Sequence, residues 1–328
     1  MSHLCVVPAD SGSPERRGSL TSVRVEAPGK VNLYLSCGAP APDGYHPLIT
    51  VFQAVRLIER VTARRQSADA VGQITLSLEE PDPRVPLDAS NLAVRAAALL
   101  AKHAGVSEGV DLLLRKRVPV AGGMAGGSAD AAATLLACNA LWGTGLDSEE
   151  LIGLAARLGA DVPFPLAGFT ALGHGRGDQL SPLMAKGRFT WVFALAKWGL
   201  STPDVFKRFD KLLAAGELPG RTGASEPAPV PESLTAALRT GDVEALAAGL
   251  HNDLQPAALS LRPELESIIA TAEAAGALRA IVSGSGPTIA ALVPDSGAAT
   301  VARALETLPM VAGTVRADAP VAGARVVR

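Results

Sequence analysis

Residues 119–133 read PVAGGMAGGSADAAA: two glycine pairs, Gly122-Gly123 and Gly126-Gly127, run directly into Ser128, Asp130 and an alanine-rich segment. Loose linkers are glycine-rich too, but they do not flow into a strong helix former. The stretch therefore demands a tight loop that leads straight into a mostly apolar helix, ADAAATLLACNALWG, beginning near Ser128. Glycines let backbone N–H groups approach an anion closely, and the positive end of the helix dipole points at the same spot. Ser128 can add a hydroxyl to a phosphate or to a magnesium ion. A flexible turn before a buried helix is the competing account; the doubled glycine pair favours phosphate. Neither standard phosphate loop is present, since the chain holds no G-x-x-x-x-G-K-[ST] and no G-x-G-x-x-G between a strand and a helix.

Composition narrows the function classes. With 328 residues and 48% hydrophobic content, the chain can build two domains. Thirty basic and 32 acidic residues leave a net charge of -2, which offers no nucleic-acid footprint and no membrane-surface patch. No apolar run approaches the roughly 18–20 residues that span a bilayer. Three scattered cysteines (Cys5, Cys37, Cys138) fit reduced thiols of a cytoplasm, and the five histidines show no metal-ligand spacing. Residues 1–22 lack the apolar core of a signal peptide and read as a disordered extension. The expectation is a cytoplasmic enzyme, a monomer or weak homodimer, that binds neither nucleic acid nor membrane.

Along the chain, VRVEAPGKVNLYLSCG reads as two strands either side of a Pro28-Gly29 break, and ITVFQAV, VTARR, QITLSL and VDLLLRKRVPV as further strands. SNLAVRAAALLAKHAG is a helix with Ser90 as its cap and Gly105 at its end; LDSEELIGLAARLG is another, capped by Asp147 or Ser148. From Phe169 onward the pattern restarts with a strand, FTWVFALAK, and a helix opening on Thr202-Pro203. Residues 217–231 form a Pro/Gly/Ser-rich surface excursion. Helices near 232–248 and 263–275, a strand-turn-strand at IVSGSGPTIAALV and a last helix follow. Strands in clusters favour an α+β fold over an alternating parallel sheet.

The glycine loop resembles the second motif of the GHMP small-molecule kinases, P-x-x-x-G-L-x-S-S-A, in its glycine-richer form. APGKVNLYL resembles the family's first motif, DGYH the segment after it and VSGSGPTIAAL the third motif, while GADVPFPLAG at 159–168 resembles the segment that carries a catalytic aspartate. The resemblance runs from about residue 23 to the C-terminus. It implies a two-domain α+β GHMP kinase: a ribosomal-protein-S5-like, ATP-binding and catalytic domain over 23–175 and a ferredoxin-like domain over 176–328. ATP as phosphate donor would lie on Pro119, Val120, Ala121, Gly122, Gly123, Met124, Ala125, Gly126, Gly127, Ser128 and Ala129. Mg²⁺ would be held through ATP, with Ser128 as a contact, and no metal by the protein alone. Ala121 and Ala125 stand where the family often has glycine. Ala129 stands where it has Ser or Thr, which removes one phosphate or metal contact.

Phosphoryl transfer relies on positioning and charge neutralisation, so the reacting groups are few. Asp130 and Asp161 compete for the carboxylate near the acceptor hydroxyl. Capping and the helix dipole already explain an Asp at the position of Asp130. Asp161 sits between Ala160 and Val162-Pro163, where an unpaired charge would be costly. The partner that the resemblance implies for it is Lys30. Asn32 follows Lys30 by two and shares its face on a strand, within reach of acceptor or phosphate. By resemblance the acceptor carries a cytidine diphosphate group: Tyr45 stacks on the cytosine, His46 hydrogen-bonds its edge, Phe206 covers the other face, and Thr202 contacts base or ribose. Homoserine-type or mevalonate-type acceptors would need no such aromatic clamp. The turns GSGPT at 284–288 and GHGRGD at 173–178 either contact phosphates or merely shape the cleft.

Overall fold

The computed structural model describes residues 20–67, 69–120, 122–218 and 226–327. The expectations for residues 1–19, for Ala121 and for the middle of the 217–231 excursion lie outside the described residues.

From Ser22 to Pro182 the chain forms β1 (Ser22–Cys37), β2 (Leu48–Arg65), β3 (Ile74–Leu78), α1 (Leu92–Ala104), β4 (Val110–Arg115), α2 (Gly126–Trp142), α3 (Ser148–Leu158), α4 (Pro163–Ala167), β5 (Thr170–His174) and β6 (Gln179–Pro182). There follow β7 (Phe189–Ala196), α5 (Thr202–Ala215), α6 (Glu232–Thr240), α7 (Val243–Gly249), β8 (His251–Asn252), α8 (Gln255–Leu261), α9 (Glu264–Ala274), β9 (Arg279–Val282), β10 (Ile289–Val293), α10 (Ala298–Glu306), β11 (Val311–Ala319) and β12 (Arg325–Val327). One sheet runs β12-β1-β2-β4-β3, with β5 on β2, β6 on β5 and β8 on β1. The other runs β11-β7-β10-β9, all antiparallel. Its βαββαβ course with helices between the outer strand pairs is the ferredoxin-like split. The α+β, two-unit architecture matches the expectation. Sheet membership is not contiguous in sequence, because β6, β8 and β12 come from beyond residue 175.

Several local readings change. Pro28-Gly29 does not divide two strands: β1 continues through it, and a register shift against β2 between Pro28 and Gly29 absorbs the irregularity. VTARR is the end of β2 rather than a separate strand. Asn91, not Ser90, caps α1, accepting from Ala93 N at 2.8 Å, while Ser90 bonds Asp88. Ser201 caps α5, so Thr202 and Pro203 belong to its first turn. Asp147 caps α3, with Glu150 closing a reciprocal capping box. The helix expected over 232–248 is broken at Gly241, which takes φ +78° between α6 and α7.

Two cores position the site. The alanines of α2 are buried on nearly every side, which lets α1, β1 and β2 close in around a helix with small side chains. Val31, Leu33, Val51 and Val55 of the first sheet share a second core with Phe189, Trp191 and Phe193 of the other. The middle of β1, the start of α2 and the turn between β9 and β10 therefore meet where the two sheets join.

Candidate active site

The glycine loop is clamped rather than loose. Gly123 takes φ +69°, and a Cβ there would come within 2.3 Å of the Ser283 carbonyl oxygen. A Cβ on Gly122 would approach Thr288 Oγ1 to 2.9 Å. The GSGPT turn thus shapes the cleft by seating the glycine loop. α2 starts at Gly126, two residues before Ser128, and no side chain caps it: its N-cap is Ala125, in the left-handed region at φ +59°. Its first N–H groups are left for a ligand. The Ser128 hydroxyl has no hydrogen-bond partner among the described residues. Gly126 has ordinary φ, and a Cβ there would press on Val118 and Glu59 at 3.1–3.2 Å, so its need for glycine is internal packing. The loop, with Arg84, Asn91, Lys116 and Asp130, lines a cleft of about 370 Å³.

Lys30 lies in the middle of β1, buried, with its N–H bonded to the Met124 carbonyl of the glycine loop at 3.1 Å. Its Nζ donates to Asn32 Oδ1 at 2.8 Å, and Asn32 Nδ2 donates to Thr50 Oγ1 at 2.8 Å. Asp161, on the short link between α3 and α4, brings Oδ2 to 3.9 Å from Lys30 Nζ. The carboxylate is 42% exposed, so the apolar neighbours in its sequence do not bury it. A gap of that length is an ion pair with room between its members. Gly284, at φ +57°, leaves the space beside Lys30 free: a Cβ there would lie 3.3 Å from Nζ. Asn252, donating to the carbonyls of Val282 and Gly284 at 2.8 Å, fixes that turn.

Asp130 does not cap α2. It is buried and pairs with Lys116, which also meets Glu59 Oε1 at 2.7 Å. Glu59 accepts from the N–H groups of Arg117 at 2.9 Å and Val118 at 3.2 Å, tying β2 to the strand that enters the glycine loop. Asp130 Oδ1 is buried without a partner. Burial, reinforced by the Glu59 charge and opposed by Lys116, pushes the Asp130 carboxyl up to about 7. Sequence reading missed Glu59 and Lys116; the only signal was a charged pair, Lys116-Arg117, just before an otherwise neutral loop.

Tyr45 stands 56% exposed on the DGYH turn, with the Arg176 guanidinium over its ring at 4.8 Å. Arg176 comes from the β5–β6 hairpin, the GHGRGD segment. The His46 ring packs on Phe206 at 4.7 Å between centroids. Thr202 Oγ1 lies 2.8 Å from Ser285 Oγ, at the same turn that flanks Lys30. His46 and Phe206 thus meet, and Thr202 reaches the turn beside Lys30, while Tyr45 and Phe206 make no ring contact with each other. Among the described residues, no helix is long and apolar enough to cross a membrane.

A two-unit α+β fold with an uncapped glycine loop and a buried lysine facing a partly exposed aspartate at 3.9 Å defines a class of phosphotransferase. The chain belongs to the GHMP kinase family: residues 91–169 match the family's N-terminal domain model and residues 234–309 its C-terminal model. It is 54% identical over 312 residues to the 4-diphosphocytidyl-2-C-methyl-D-erythritol kinase of Thermobifida fusca, covering 94% of this chain and 99% of the relative. A crystal structure of a 4-(cytidine 5'-diphospho)-2C-methyl-D-erythritol kinase superposes with a TM-score of 0.71 at 32% identity, over 91% of this chain and 99% of the other. A homoserine kinase from Cytophaga hutchinsonii reaches the same TM-score at 20% identity, over 96% and 100%, which shows a common fold and leaves the acceptor to the site.

Proposed function

We propose that the chain is an ATP-dependent kinase that phosphorylates the 2-hydroxyl of 4-diphosphocytidyl-2-C-methyl-D-erythritol, giving the 2-phosphate and ADP, in isoprenoid precursor synthesis by the non-mevalonate pathway. The observation that carries this reading is the meeting of Lys30 and Asp161 beside the uncapped start of α2. The triphosphate fits there: free N–H groups at a helix start, glycines that allow close approach, and the unpartnered Ser128 hydroxyl. Pro119 to Ala129 would cradle it, and Mg²⁺ carried on the phosphates, with Ser128 as a contact, would neutralise their charge. The acceptor hydroxyl would sit between Lys30 and Asp161. Asp161 accepts its proton or orients it, and the Lys30 ammonium, steadied by Asn32, offsets the charge that develops on the attacking oxygen.

Tyr45 supplies an exposed flat face for the cytosine, with Phe206 on the opposite wall and Thr202 at the ribose side. His46 precedes Pro47, which favours extended backbone, and its N–H and C=O bond to no described residue. In extended backbone these two groups point to one side, donor beside acceptor, and complement N3 and the amino group of cytosine. Uracil presents the reverse order. The catalytic unit would be residues 23–175 and the acceptor-closing unit 176–328. Cys37 and Cys138 are buried, and a reducing cytoplasm would suit such thiols; there the enzyme would act as a monomer or weak homodimer. The test is ADP release measured against a panel of acceptors with and without the cytidine diphosphate group. Turnover confined to the cytidine compound supports the reading, and turnover of homoserine or mevalonate would replace it with another acceptor class.

A further inference from the structure

α5 presents Phe206, Phe209 and Asp210 together, since residues three and four apart share one helix face. All three hold the same side chain. The His46 ring is 4.7 Å from Phe206, edge-on to Phe209 at 6.0 Å, and its Nε2 lies 2.7 Å from Asp210 Oδ1. The imidazole is only 9% exposed although the turn that carries it is on the surface. Backbone bonds already pin the rest of that turn: Gly38 N–H to the Pro47 carbonyl, Ala41 N–H to the Tyr45 carbonyl, and Leu48 N–H to the Gly175 carbonyl. Residue 46 is anchored through its side chain instead.

We propose that Asp210 is a positioning residue that sets the nucleobase preference of the acceptor pocket by locking His46. The inference rests on the reading of the acceptor as a cytidine compound and goes beyond it. An ionised carboxylate only accepts, so Nε2 carries a proton and the ring has one orientation. With the ring fixed between two phenylalanines and Asp210, the free N–H and C=O of residue 46 are fixed in direction. The same bond latches the DGYH turn to α5, so it also sets the spacing between the Tyr45 wall and the Phe206 wall. Loss of the carboxylate frees the ring, lets the turn shift, and blurs a donor–acceptor pattern whose value depends on its position.

The experiment compares the cytidine acceptor with its uridine counterpart in the wild type, Asp210→Ala and Asp210→Glu, with thermal melting of each protein. The wild type should prefer the cytidine compound by about 10²-fold or more in kcat/KM, the scale on which polar readout discriminates. Asp210→Ala should raise the acceptor KM and compress that preference by about tenfold or more, with the KM for ATP unmoved. Asp210→Glu, which keeps a carboxylate on a longer arm, should recover part of the preference. If the wild type discriminates and Asp210→Ala keeps both its preference and its acceptor KM, whatever its melting temperature, the positioning role is wrong. A wild type that accepts both bases equally would overturn the cytidine reading itself, and this inference with it.

Discussion

Two carboxylates, Glu59 and Asp130, share one ammonium beneath the glycine loop, and a buried site with that excess of negative charge retains a proton. The Asp130 carboxyl holds it to about 7, whereas in the unfolded chain it would leave near pH 4. Between those values the folded state binds more protons, so the contribution of this carboxyl to stability is full below about pH 4 and is lost as the pH rises through about 7. Asp130→Asn leaves a neutral Glu59–Lys116 pair and should flatten this decline. The urea midpoint of the wild type should fall between pH 5 and 8 while that of Asp130→Asn stays level; a parallel fall in both proteins would contradict the assignment. Ala125 is a second residue-scale strain. A left-handed alanine costs about 1–2 kcal/mol, and glycine returns part of that as chain entropy. Ala125→Gly should therefore stabilise the protein by about 0.5–1 kcal/mol in urea unfolding, whereas destabilisation would show that the alanine methyl is needed where it sits.

At the scale of elements, what was legible in the sequence was whatever local chemistry dictates. The alanine run forced a buried helix, ITVFQAV and FTWVFALAK read as strands where β2 and β7 lie, and Gly105 ended α1 in the left-handed region as expected. Lys30 and Asp161, more than a hundred residues apart, were paired through motif resemblance, and the two do converge at 3.9 Å. The rest depended on partners distant in sequence. Nothing local tells that Pro28-Gly29 is carried through by a bulge, since the continuity comes from pairing with β2. Asp130 looked like a capping residue because Glu59 and Lys116 are brought to it only by the sheet. The glycine loop divides likewise: Gly123 is required by its φ and by Ser283, while Gly126 is required by Val118 and Glu59. Asp210 carried no sequence signal, being one of several charges on an amphipathic helix.

The whole molecule assembles the site from parts that are unremarkable alone. β1 contributes Lys30, the α3–α4 link contributes Asp161, and the β9–β10 turn of the second sheet lies beside Lys30. The proposed acceptor site has the same divided origin, since His46 of the DGYH turn packs on Phe206 and Asp210 of α5. Because Tyr45 is exposed and outside the core, Tyr45→Ala should leave stability and the KM for ATP nearly unchanged. It should raise the acceptor KM by about 5–150-fold, the range that roughly 1–3 kcal/mol of base stacking implies. An unchanged acceptor KM would make Tyr45 a plain surface residue.

The division of labour between the two aspartates is the most direct test of the account. Asp161→Asn keeps the size of the side chain and removes the group proposed to take or orient the acceptor's proton. Steady-state turnover with ATP and the cytidine acceptor, together with nucleotide affinity by calorimetry, should show kcat lowered by about 10² or more with ATP binding nearly intact. Asp130→Asn, measured alongside, should retain most of its turnover. Near-normal turnover in Asp161→Asn, with collapse in Asp130→Asn, would move the chemistry from the Lys30–Asp161 pair to the buried cluster beneath the glycine loop.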